Sequence, residues 1–84
     1  MLGGMSPTVL RTDGYRLVIF SREHRYEEPH VHVRKGDGIA KLWLDPVVFE
    51  YCEDFTPAER RRIVEIVRQS RELLLRAYRA RHQR

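Results

Sequence analysis

The sequence holds one cysteine, two lysines and one tryptophan, and no apolar run near the ~18 residues that a membrane-spanning helix needs. No membrane partner is therefore expected. A lone cysteine, Cys52, cannot staple a fold, which points to a reducing compartment and a cytoplasmic location. The one disulfide it leaves open is a linked homodimer. The N-terminus has no basic segment followed by an apolar core, so no secretory signal is expected. Also missing are a glycine-rich phosphate loop, a His-Glu-x-x-His pair, zinc-finger and helix-turn-helix signatures, and paired carboxylates on a regular element. There is no internal repeat or low-complexity segment.

What is present is charge. A third of the 84 residues are charged and 42% are hydrophobic, a balance that suits a globular chain with one small core. The expected organisation is a flexible N-terminal extension, residues 1–6, and a single domain, residues 7–84. Arginine outnumbers lysine fourteen to two. Residues 57–84 hold nine Arg against three Glu, a net of +6, whereas residues 1–56 carry a net of −2. A basic C-terminal segment on a near-neutral body fits an anionic partner; genome composition is the plainer source of the arginines.

The most informative stretch is Glu28 to Pro46. Val31 and Val33 alternate with His30 and His32, and Ile39 to Leu44 alternate as well. Gly36-Asp37 between them suits a two-residue primed turn. That turn sets His30 opposite Trp43, Val31 opposite Leu42, His32 opposite Lys41 and Val33 opposite Ala40. Every pair matches in character, and a slip of one residue would scramble both faces. Val31, Val33, Ala40, Leu42 and Leu44 then share an apolar face, and His30, His32, Lys41 and Trp43 a polar one.

A second hairpin precedes it. Asp13-Gly14 is a strong turn signal between Thr8–Thr12 and Tyr15–Ser21. It pairs Leu10 with Leu17, Val9 with Val18 and Arg11 with Arg16. Residues 22–28, which include His24, Glu23, Glu27 and Glu28, are polar and aperiodic, as in a loop. Residues 47–52 fit a strand or a helical turn equally well. Thr56-Pro57-Ala58-Glu59 forms a capping box, and Ile63, Ile66, Val67, Ser70, Leu73, Leu74, Ala77 and Tyr78 recur at helical spacing behind it. The expected architecture is α+β: a small antiparallel sheet of two hairpins, four strands in all, covered by one long C-terminal α-helix.

Three chemistries fit the polar face. His30, His32 and Lys41 could act as base, acid and cation around a phosphodiester, a catalytic set for metal-independent RNase-like cleavage. His30-x-His32 could chelate a metal ion with His24 or a loop acid. Or the face is an ordinary polar sheet surface. Arg11, Arg16, Arg34 and Trp43 are the candidate nucleic-acid contacts, cations for phosphates and a ring for a base to stack on. No cofactor and no metal is expected.

Pro-Thr-Val-Leu-Arg (7–11), Gly-Tyr-Arg (14–16), Glu-Pro-His-Val-His-Val (28–33), Ala-Lys-Leu-Trp-Leu-Asp-Pro-Val (40–47) and the Phe-Thr-x-x-Glu helix start resemble a bacterial family, domain of unknown function 4160. The resemblance spans residues 7–78. It departs where Glu28 stands before Pro29, in place of a second proline, and where Gln69-Ser70 stands for Glu-Asn. The family has no established activity. Its frequent pairing with a second short protein implies a toxin–antitoxin-type component, with a small antitoxin-like protein partner and an RNA target. A non-catalytic interaction or regulatory module acting as a homo-oligomer is the alternative, and a His-x-His metal-binding protein a further one.

Overall fold

The computed structural model describes residues 6–21 and 27–82. The extension assigned to residues 1–6 lies outside the described residues save for Ser6, and His24 and Glu23 lie outside them altogether. Five strands form one antiparallel sheet in chain order: β1 Thr8–Thr12, β2 Tyr15–Val18, β3 His30–Lys35, β4 Gly38–Leu44 and β5 Val47–Glu53. Two helices follow, α1 Pro57–Gln69 and α2 Arg71–His82. The fold is α+β, as the sequence predicts, but with five strands where four are expected and two helices where one is expected.

The β3–β4 register is the one that alternation predicts, with His30 opposite Trp43, His32 opposite Lys41 and Val33 opposite Ala40. Gly36 has φ 58°, the positive value that the first loop position of a type II′ turn requires. In the β1–β2 loop both Asp13 (φ 52°) and Gly14 (φ 80°) are positive, as in type I′. Leu10 pairs with Leu17 and Arg11 with Arg16, as expected. Val9 does not pair with Val18: the register shifts between Thr8 and Leu10, and Thr8 takes that place. Such a bulge twists an edge strand.

Both helices cover the apolar face, and Val31, Val33, Ala40, Leu42 and Leu44 pack there with Leu17, Ile63, Val67 and Leu74. Phe55 closes one end of this core. Its ring lies where a Cβ on Gly38 would be, so β4 can begin only with glycine there. Helix α1 starts as the sequence indicates. The Glu59 N–H donates to Thr56 Oγ1 (3.1 Å) and the Thr56 N–H to Glu59 Oε1 (2.8 Å), with Pro57 at the first turn. Thr56→Ala removes an acceptor for an otherwise unpaired helix donor and is expected to lower stability by about 1 kcal/mol in urea denaturation.

The helical pattern continues past residue 69, yet the helix does not. Ser70 has φ −102° and ψ 11°, off the helical values. Just beyond it, Arg71 Nε donates to the Leu44 carbonyl (2.7 Å) and its guanidinium lies 3.2 Å from Asp45. These contacts tie the start of α2 to the β4–β5 turn. The buried face rotates across the break: Ile63, Ile66 and Val67 in α1, then Leu74, Leu75 and Tyr78 in α2. Leu73, assigned to the buried stripe by spacing, is exposed instead. Among the described residues, no helix is long and apolar enough to cross a membrane.

Candidate nucleic-acid interface

The sheet face away from the helices carries three rungs of side chains. Across the first, Arg11, Arg16, Arg34, Ile39 and Glu53 stand opposite one another in turn on β1 to β5. The second holds Val18, His32, Lys41 and Tyr51. The third holds His30, Trp43 and Val48. All seven residues singled out in the sequence therefore share one face: parity accounts for His30, His32, Lys41 and Trp43, and strand pairing brings in the arginines. Arg34 comes to it through the β2–β3 pairing, which places it directly beside Arg16.

The face has two unlike halves. On β1 to β3 the three guanidinium-bearing residues sit side by side. Like charges directly opposite one another on a ladder are unfavourable. Among the described residues no acid forms a salt bridge with any of them. Asp13, close by in sequence, is engaged elsewhere, accepting from Arg62 Nε of α1 at 2.7 Å. On β4 and β5 the exposed apolar and aromatic side chains are Ile39, Val48 (46% exposed) and Tyr51 (37%), with Trp43 half-buried among them; the acids Glu50 and Glu53 of β5 are exposed as well.

Between these halves lies a packed polar cluster. His30 is 1% exposed. Its ring meets those of Trp43, His32 and Tyr78 edge-on at 5.7, 5.4 and 5.5 Å between centroids. Its Nδ1–H donates to the Glu28 carbonyl at 2.8 Å, which fixes the proton on that nitrogen. His32 is half-buried beside Phe20 (5.2 Å), with the Tyr51 hydroxyl 3.4 Å from its Nδ1. Lys41 is only 8% exposed, although the polar face suggests a surface position. Its ammonium donates to Glu27 Oε1 at 2.6 Å, lies 3.3 Å from Glu50 Oε1 and sits 4.7 Å from the Trp43 ring centroid. Burial works against its charge, but the hydrogen bonds it donates to Glu27 and Glu50 more than offset this and hold its pKa above the ordinary lysine value.

Glu27, Glu50, Phe20, Tyr51 and Tyr78 complete this cluster, and sequence spacing does not reveal them. Tyr51 and Glu50 would follow from placing β5 as a strand; Glu27 and Tyr78 reach the site through long-range contacts. No group of three or more His, Cys, Asp or Glu among the described residues is placed to hold a metal ion. Cys52 is a half-buried free thiol, and burial raises its pKa. The helical arginines lie apart from the open face: Arg60, Arg61 and Arg68 line a groove with Phe49 and Val64 between β5 and α1.

The fold and face define a small α+β domain whose sheet carries arginines at one end and aromatic residues beside a buried polar cluster. The family model for a domain of unknown function, DUF4160, matches residues 14–79, and the chain belongs to that family. No curated protein and no solved structure matches it.

Proposed function

We propose that this chain binds single-stranded RNA across the open face of its sheet, as part of a toxin–antitoxin-type system that also includes a small antitoxin-like protein partner. The observation that carries the RNA reading is the division of the face. Arg11, Arg16 and Arg34 offer cations for phosphates, while Trp43 and Tyr51 lie one and two strands away with ring area for bases. Cations beside stacking platforms are how sheet surfaces hold single strands without needing a base-specific hydrogen-bond code. The protein partner rests on the family resemblance alone.

The role proposed for His30, His32 and Lys41 is to hold this face in shape. Lys41 is neutralised by two carboxylates, and His30 is enclosed by rings, which favours support over proton transfer. A second reading is favoured by the exposed Ile39, Val48 and Tyr51: a non-catalytic module that associates with itself through β4 and β5. Light scattering across a concentration series would show it as a dimer.

Binding of labelled single-stranded RNA, measured by anisotropy at several salt concentrations, tests the proposal. Three phosphate contacts predict a slope of log affinity against log salt of about −2. Duplex RNA should bind more weakly, since its bases are stacked away from Trp43 and Tyr51. Absence of binding at low salt would remove the RNA reading.

A further inference from the structure

We infer that the arginine end of the open face is a discrete pocket for a phosphomonoester, the terminal phosphate of a strand. The inference rests on the RNA reading and deepens it. A cavity of 350 Å³ opens between the β1–β2 and β3–β4 turns, lined by Arg11, Gly14, Arg16, Arg34, Lys35 and Gly36. Four of its six lining residues are cationic and none is acidic. The two glycines are turn residues with φ 80° and 58°, and neither adds a side chain to the lining. Lys35 is held over the Tyr15 ring, 4.5 Å from its centroid.

Arg16 is the central member, flanked by Arg11 on β1 and Arg34 on β3. Its Nε is buried and has no hydrogen-bond partner. A buried donor without an acceptor is unfavourable, and so is a row of adjacent like charges. One bound anion relieves both. Among anions that a nucleic acid offers, a chain phosphodiester carries one charge and has two ester arms to lead out of the cavity. A terminal phosphomonoester carries about −1.5 to −2 at pH 7 and presents three unesterified oxygens. Several guanidinium groups converging at one place match the second better, because each can donate to a separate oxygen. The pocket also stands at the end of the sheet, where a strand lying over Trp43 and Tyr51 would terminate.

The test uses the full chain and one single-stranded RNA sequence in four forms: 5′-phosphate, 3′-phosphate, both ends hydroxyl, and the hydroxyl form with added inorganic phosphate. Affinities are measured at constant ionic strength. The inference predicts that one phosphorylated end binds at least about tenfold more tightly than the hydroxyl form. Which end gains tells the strand's direction across the sheet. Arg16→Gln and Arg34→Gln should each reduce that preference to near unity. Removing one of three adjacent like charges should leave the melting temperature unchanged or raised, so lost preference cannot be put down to unfolding. Inorganic phosphate should raise the melting temperature of the wild type more than chloride at equal ionic strength, and should not do so in Arg16→Gln.

If all forms bind equally, the pocket is not a terminal-phosphate site, while the RNA reading stands. If no RNA binds but phosphate still protects the wild type selectively, the pocket stands as an anion site and the RNA face falls. If neither RNA nor phosphate has an effect, both are overturned.

Discussion

Leu74→Ala is expected to lower unfolding free energy by about 2–5 kcal/mol. Leu74 has 0% exposure and sits in the core with Ile63, Val67 and the sheet residues Leu42 and Leu44. Its loss removes buried methyl groups and leaves a cavity. The site has little freedom to collapse, because α2 is pinned at its start by Arg71 to the β4–β5 turn and further along by the Tyr78 hydroxyl, which donates to the Glu27 carbonyl at 3.3 Å. Leu73→Ala, one residue away and exposed, is the internal control and should change stability by less than about 0.5 kcal/mol. Comparable losses at both positions in chemical denaturation would contradict the rotation of the buried face across Ser70.

Lys41→Ala is expected to cost about 1–3 kcal/mol, rather than to behave as a surface change. Breaking a buried ion pair usually costs about 3–5 kcal/mol, but both partners here are partly open to water. Glu27 and Glu50 side chains are 32% and 43% exposed, so each can recover some solvation. Lys41→Met, which keeps most of the volume, separates lost packing from lost charge. The pH dependence follows from the sign of the pKa shift. A lysine held above its ordinary 10.5 contributes stability that is fully present below that value and is lost as pH rises through the higher folded value. The stability gap between wild type and Lys41→Met should therefore be constant from neutral pH up to about pH 10 and narrow above it. A gap that does not change across that window would show that the carboxylate pairing contributes nothing.

Lys41 also shows where the sequence stops being informative. Period-two alternation fixes which face a strand residue joins, and that part was legible: His30, His32, Lys41 and Trp43 share one face, which the arginines join through the β1–β2 and β2–β3 pairings. Parity says nothing about depth. Lys41 is covered because Glu27, fourteen residues earlier, reaches it, and no local pattern encodes that contact. β5 was illegible for a different reason. The register shift between Lys41 and Leu42 leaves Glu50 as an extra residue, so Phe49 pairs with Leu42 while Cys52 pairs with Ala40. Core-facing residues then stand three apart within a strand, a spacing that resembles a helix. Val9 is displaced by the same kind of irregularity.

The helix break is hidden in the opposite way. Ser70, Leu74 and Tyr78 keep an unbroken four-residue spacing, and no proline or glycine intervenes. The Ser70 N–H still donates to the Ile66 carbonyl at 3.0 Å, and the Leu74 N–H to that of Ser70 at 2.9 Å. Local preference favours one helix; the tertiary anchor at Arg71 accompanies the break at Ser70. The arginine row, by contrast, could be read in part from sequence, because the Asp13-Gly14 turn sets Arg11 opposite Arg16. Its third member needs the β2–β3 register, which spans the residues 19–29 connection and carries no turn signal of its own.

The central claim is that the open face receives single-stranded RNA, and Trp43 is placed to report on it. It is the only tryptophan in the chain and stands on that face beside His30 and Lys41. Tryptophan fluorescence followed during titration with single-stranded RNA at low salt should show saturable quenching as bases approach the ring. Raised salt should shift the midpoint to higher RNA concentration, and so should the paired substitution of Arg16 and Arg34 by Gln. Quenching that ignores salt and those arginines, or RNA binding with no change at Trp43, would contradict the account.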